Sequence, residues 1–352
     1  MANSFSERLN LGEILVADGA TGTNLQAAGL PPGTSPEEWV FDQPDLIRAL
    51  QRSFVEAGSD LILTCTFGGT RIRLKESRYA NRAAELNRRA VELAREAAGN
   101  RAMVAGSMGP LGSLLKPFGS IDYADAVAAY AEQAQALSEG GVDVLVIETH
   151  FAMEEAQAAV EGARQVSDLP LVVSFSYDRG MRTMMGVKPA EAAEKFKTLA
   201  VAAIGANCGT TLENMEKIVQ EYAGAKSGLF VWAKPNAGLP TVDAATGRSV
   251  YHVTPEQMGE FAKRYVGIGA HRGRLLWIDS GACAGHRAGR EELTDTVLFG
   301  AGGQREEKGA AVSHFAFHAH RAAQFFHDAF DDGETQAVPA DVGLSQTLER
   351  RE

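Results

Sequence analysis

Two residues able to do chemistry stand at the ends of apolar runs: Cys208 closes VAAIGANC, and Glu148 stands near the end of DVLVIET. A cysteine in that position has three readings: a small buried packing residue, a nucleophile, or a thiolate ligand for a metal. A carboxylate that ends an apolar strand costs free energy unless it is paired. Its partner is either a loop Arg or Lys or a cationic group on a substrate, for which an α-amino group is a natural guest. Asp18, with Gly19, Ala20 and Thr21, opens the Gly-rich stretch DGATGTNLQAAG, which passes from an apolar run into a helical pattern. Backbone N–H groups in such a turn can cradle a carboxylate or a phosphate. KPNAGLP, which carries Asn236, is a second rigid turn after another apolar run.

These residues need elements to position them, and the chain supplies a regular alternation. EILVAD, DLILTC, AMVAGS, DVLVIET, PLVVSFS, VAAIGANC and GLFVWAKP are apolar nearly throughout, as strands covered on both faces should be. Between them lie segments such as DLIRALQRSFVEAGS, NRAAELNRRAVELAREAAG and YADAVAAYAEQAQALSEGG, apolar at spacings of three and four, several closing on Gly. HRGRLLWIDSG follows the helical TPEQMGEFAKRYVG and occupies the place of an eighth strand. Eight strand-then-helix units in about 290 residues match a single-domain TIM (β/α)8 barrel. A doubly wound open sheet is the alternative, but no GxGxxG follows the first strand. A barrel does its chemistry at the C-terminal ends of its strands. There stand Asp18 and Gly19; Thr64, Cys65 and Thr66; Ser107 and Gly109; Glu148; Ser174 and Ser176; Asn207 and Cys208; and Asn236. The expected organisation is a barrel over 8–290 followed by an atypical, partly disordered tail over 291–352.

Composition narrows the function classes. The 352 residues, 45% apolar and 22% charged, suit one large α/β domain or two ordinary ones. A net charge of -11 without a basic cluster argues against a nucleic-acid partner. No run approaches the ~18 apolar residues of a membrane span. The start MANSFSERLNLGE has neither the basic nor the apolar part of a signal peptide, so the expected location is cytoplasmic. Cys65, Cys208 and Cys283 are too few for a disulfide framework. Homo-oligomerisation is left open.

The motifs become specific in combination. DGATGT at 18–23, TCTFGGT at 64–70, GSMGP at 106–110, IETH at 147–150, GANC at 205–208 and KPNAGLP at 234–240 follow one another at strand-end spacing. Together they resemble the homocysteine S-methyltransferase family, which includes betaine–homocysteine methyltransferases and the homocysteine domain of cobalamin-dependent methionine synthase. RTMMG at 182–186 leans toward bacterial betaine–homocysteine methyltransferase-like members. The resemblance covers about residues 8–270. It implies that Cys208 is one of three thiolates holding Zn²⁺. It also implies that Glu148, Asp18 and the backbone of Gly19, Ala20 and Thr21 hold the amino and carboxylate ends of homocysteine, with Thr66 and Asn236 beside the substrate. A free thiol has a pKa of ~8.5 and is little ionised at neutral pH. Zinc binding removes the proton, and three protein ligands with an open fourth position make a catalytic site. The methyl donor is open between betaine, another onium compound such as S-methylmethionine, and a methylated corrinoid. Trp39 and Phe67 either face such a donor or pack, and Cys65 reads as a rim packing residue.

The family pattern breaks after residue 270. Adjacent cysteines in a GGCCG segment should follow the eighth strand, but GAHRGRLLWIDSGACAGHRAGREEL holds only Cys283. One reading is divergence with Cys283 as a surviving ligand. The other is a frameshift near 267–270. With plausible GC-rich codons, reading one base later from His271 gives Ile-Val-Gly-Gly-Cys-Cys-Gly, and then a stop across Leu293 and Thr294. Six of the eight histidines (271, 286, 314, 318, 320 and 327) fall in this region. His314, His318 and His320 have metal-like spacing but fit out-of-frame translation better. Either way the expectation is impaired zinc binding. Two rivals stand beside the methyltransferase reading: a catalytically inactive barrel that binds an amino acid or serves assembly, and a phosphate-binding lyase or aldolase using Lys234.

Overall fold

The computed structural model describes residues 4–270, apart from 179, 239–240, 243–248 and 251, together with the strand backbone at 275–277. Cys283 and the tail 291–352 lie outside the described residues.

Six parallel strands run in chain order: β1 (Leu61–Leu63), β2 (Met103–Met108), β3 (Val144–His150), β4 (Leu171–Phe175), β5 (Ala203–Asn207) and β6 (Phe230–Lys234). The expected eighth run contributes Leu275–Trp277, which pairs parallel with β6. The first run joins the other edge through one parallel bridge, Ala17 to Leu61. Each strand pairs with its neighbour in sequence, which is the order a barrel requires and a doubly wound sheet lacks. Among the described residues no ladder joins Leu275–Trp277 to the first run.

The side-chain period of two splits the strands into two cores. Leu15, Ala17, Leu61, Leu63, Ala105, Val144, Val146, Val172, Ala203 and Trp232 point to one side and form one buried cluster. Residues from the first run and from β6 meet in that cluster, so the sheet curls on itself. Phe5 and Leu9 of helix Phe5–Asn10 join its lower end. Ser4 caps that helix, its side chain accepting from the Glu7 amide while the Glu7 carboxylate accepts from the Ser4 amide.

The alternate residues, among them Ile62, Val104, Leu145, Val173 and Ile204, pack outward against the helices. These include Pro44–Glu56, Ala83–Ala98, Tyr123–Gly140, Met153–Val166 and Leu212–Gly224. Small residues let the layers approach. A Cβ on Gly162 would meet the Val127 carbonyl at 2.4 Å, so helices Tyr123–Gly140 and Met153–Val166 pack backbone against backbone there. No helix among the described residues is long and apolar enough to cross a membrane.

Candidate functional site

The strand ends gather polar groups that a purely apolar core would exclude. Asp18 follows the first run, and its amide donates to the Leu61 carbonyl at 2.9 Å. Its carboxylate is buried and accepts from the Leu63 amide at 2.7 Å and from Lys234 Nζ at 3.1 Å. This ion pair links the end of the first run to the end of β6 across the rim. Burial works against the Lys234 charge, but Asp18 and Glu148 outweigh it and raise the lysine above its ordinary value.

Among the described residues Glu148 has no such direct cation. Its Oε1 accepts from Ser107 Oγ at 2.5 Å, and Lys234 acts on it only through the field. Burial pushes the carboxyl up, partly offset by Lys234 and Ser107, with Asp18 pushing it further up. Two buried carboxylates therefore share one buried ammonium. Ser107 is fixed in turn: its amide donates to Thr64 Oγ1 at 3.1 Å, and its carbonyl accepts from Thr66 Oγ1 at 2.7 Å. Thr64 and Thr66 hydroxyls lie 2.7 Å apart.

Cys208 is half-buried directly after β5, and its amide donates to the Lys234 carbonyl at 3.1 Å. Burial raises its thiol, and Glu148 adds to this, while Asn207, Lys234 and Thr149 oppose it. Gly205 is required two residues upstream of the Asn207–Lys234 register, because a Cβ there would meet the Trp232 carbonyl at 1.7 Å. GANC thus combines a close strand approach with a thiol at the rim.

The structure brings Asp18, Glu148, Cys208 and Thr66 into one web. Gly19 is buried, while Ala20 and Thr21 are half-buried at the start of helix Gly22–Ala27. Asn236 is half-buried two residues beyond Lys234. Cys65 lies elsewhere on the rim, buried, with its Sγ 3.6 Å from the Pro36 carbonyl and its thiol pushed up by burial and by Glu37. Trp39 is buried, and Phe67 is partly open to solvent with its ring against Gly109.

Three further residues join the site without having been marked in the sequence for this role. Lys234 reads there as a basic strand end, and its pairing with Asp18 appears only once strands 216 positions apart meet. Ser107 is one polar residue among several. His150 stands in the IETH motif with no role of its own assigned; it is fully buried, its Nδ1 3.1 Å from the Glu148 carbonyl and its Nε2 3.1 Å from Tyr130 Oη. Burial lowers its pKa to about 3, so the ring stays neutral. Tyr130 donates to Glu155 at 3.0 Å, and Glu155 also accepts from the Leu111 amide at 2.7 Å.

Among the described residues no cluster of three His, Cys, Asp or Glu side chains could hold a metal. Cys208 is the one rim thiol in the carboxylate web, so these residues alone do not make a zinc cage.

The chain matches the family model for homocysteine S-methyltransferase over residues 15–287, which runs past residue 270 into the divergent stretch. It is 28% identical over 263 residues to the methionine synthase of Mycobacterium tuberculosis (strain ATCC 25618 / H37Rv), covering 70% of this chain and 22% of that protein. The methionine synthase of Mycobacterium leprae (strain TN) is 29% identical over 263 residues, with the same coverage of 70% and 22%. The chain thus spans about a fifth of the length of these relatives. In fold it is similar to the Escherichia coli homocysteine methyltransferase MmuM. The oxidized form superposes with a TM-score of 0.63 at 22% identity, over 78% of this chain and 94% of that one. The metallated form gives a TM-score of 0.63 at 22% identity, over 78% and 95%. With a family model matched across its strands and rim motifs, this chain belongs to the homocysteine S-methyltransferase family.

Proposed function

We propose that this chain binds homocysteine at the mouth of an eight-stranded (β/α)8 barrel and transfers a methyl group from a small donor to its sulfur, giving methionine. The observation that carries this reading is the charge imbalance at the rim: Asp18 is neutralised by Lys234, while among the described residues Glu148 keeps a buried carboxyl bonded to Ser107 and to no cation, beside the Cys208 thiol. An α-ammonium supplies the missing cation, and a substrate so anchored extends its thiol toward Cys208. The backbone of Gly19, Ala20 and Thr21 receives the carboxylate, with Thr66 and Asn236 lining the site. In the reaction the substrate thiol gives up its proton to solvent, its sulfur forms a bond to the methyl carbon, and the donor's bond to that carbon breaks, the demethylated donor leaving with the electron pair. The donor class is left open. Isothermal calorimetry tests the amino-acid end: homocysteine binding that survives intact in Glu148→Gln rules the reading out.

The rivals fare less well on the same geometry. A Schiff-base lysine needs a neutral amine, whereas Asp18 and Glu148 keep Lys234 charged. A binding-only barrel is separated by turnover.

We further propose that Cys208 is a zinc ligand and that the rest of the ligand set belongs to the stretch beyond residue 270. No reaction step is assigned to the metal. A barrel domain over 8–290 and a separate tail over 291–352 complete the proposal, with a frameshift near 267–270 as the origin of the missing Cys-Cys pair and Cys283 as the second ligand if the stretch is instead divergent. Purified protein should then hold well under one zinc per chain; a single tight equivalent contradicts an impaired cage. Sequencing the gene tests the frameshift directly, since nucleotides that encode no Gly-Gly-Cys-Cys in another frame exclude it. In a frame-restored version, undiminished methionine formation by Cys208→Ser would remove Cys208 from the chemistry.

A further inference from the structure

The strand ladder that fixes the rim is interrupted where Glu148 stands. β3 and β4 pair in register from Leu145 to Ile147, then shift, and pair again only at His150 with Phe175. Within that gap Thr149 adopts φ 63, and at the adjacent strand end Cys208 adopts φ 56. A β-branched residue in the left-handed region is a true outlier, and it persists only when its surroundings hold it there.

One side chain bonds both residues. Asn207 is buried at the end of β5. Its Oδ1 accepts from the Thr149 amide at 2.9 Å and from Ser174 Oγ at 2.6 Å. Its Nδ2 donates to Thr149 Oγ1 at 2.6 Å and to Cys208 Sγ at 3.2 Å. Both ends of the amide are therefore satisfied, and they bind the two residues with left-handed backbones. Thr149 follows Glu148 directly, so its amide, held by Asn207, fixes the peptide plane through which the Glu148 backbone leaves the strand. On the other side, His150 fixes the Glu148 carbonyl.

We propose that Asn207 is a positioning residue for amino-acid binding. It substitutes for the missing ladder bonds, keeps Thr149 left-handed so that Glu148 meets Ser107, and ties that aim to the location of the Cys208 thiol. The inference rests on the functional reading above, in which Glu148 receives an ammonium group.

The test is calorimetric titration of homocysteine into the full chain and its variants, with melting followed in parallel. Asn207→Ala is expected to weaken binding about tenfold or more. Glycine reaches φ 63 without the Cβ penalty, so Thr149→Gly placed in the Asn207→Ala background is expected to recover most of the lost affinity. A merely structural asparagine would lower the melting temperature and leave affinity alone, and Thr149→Gly would rescue nothing. Asn207→Ala binding within about twofold of the parent, or a loss that Thr149→Gly does not repair, overturns the proposal. If Asn207→Ala does not fold, Asn207→Ser, whose hydroxyl is too short to span both partners, carries the same comparison. A parent chain that binds no homocysteine sinks the functional reading and this inference with it; a parent that binds while the variants do not differ sinks this inference alone.

Discussion

Lys234 Nζ lies 3.1 Å from Asp18 Oδ1, so among the described residues the buried ammonium of the rim is bonded to the first carboxylate and leaves the second, Glu148, with the Ser107 hydroxyl as its partner.

Lys234→Met strands two buried carboxylates without a cation. Removing one member of a buried ion pair typically costs about 3–5 kcal/mol. A loss of that size should appear as a lower urea midpoint at pH 7, and Asp18→Asn placed in the same background should return part of it. A midpoint unchanged in Lys234→Met would mean that solvent already reaches the pair.

Glu148→Gln should behave in the opposite way for stability. The folded carboxyl is raised above its ordinary value, chiefly by burial. A group with a raised folded pKa favours the fold below the unfolded value and loses that contribution as pH climbs through the folded one. At pH 7 the charged form therefore opposes folding, and the neutral amide should unfold no more easily than the parent. The difference should shrink as pH falls toward 4. Affinity for homocysteine should fall about ten- to a hundredfold, the scale of a hydrogen bond to a charged group.

His150 predicts an acid limb. Its pKa drops from 6.5 to about 3 because burial disfavours the imidazolium. Across that window the unfolded chain takes up a proton that the folded chain refuses, so stability falls as pH drops below 6.5. The slope from this residue approaches about 1.4 kcal/mol per pH unit. Urea unfolding at pH 7, 6, 5 and 4 should show a shallower acid slope in His150→Gln than in the parent.

Gly162→Ala tests the helix layer. The added methyl would sit 2.4 Å from the Val127 carbonyl, so the two helices must separate. Overpacking of this kind costs about 1–3 kcal/mol. A melting temperature equal to the parent's would show that the layer gives way freely.

Much of this arrangement can be read from the chain before folding. The apolar runs name every strand of the sheet, because a parallel strand covered on both faces needs apolar residues throughout. Strand ends such as DGAT, IETH and GANC stand out because polar residues interrupt those runs. What stays hidden is how the ends meet. That Lys234 belongs to Asp18, and that Asn207 reaches Thr149 and Cys208 together, depends on neighbours 216 and 58 positions apart whose proximity no local pattern encodes. His150 is missed because a buried neutral ring and a loop histidine spell the same letter. Cys283 lies outside the described residues.

The plug formed by Phe5, Leu9 and Trp232 within the curled sheet bears on how the proposed reaction must be timed. With the floor filled by side chains, both reactants come and go through the same doorway above the strand ends. Whichever arrives first becomes part of the wall that the second one meets. In the proposed reaction, order of arrival as well as affinity would then follow from the architecture, and product would have to clear the opening before another donor could reach the sulfur.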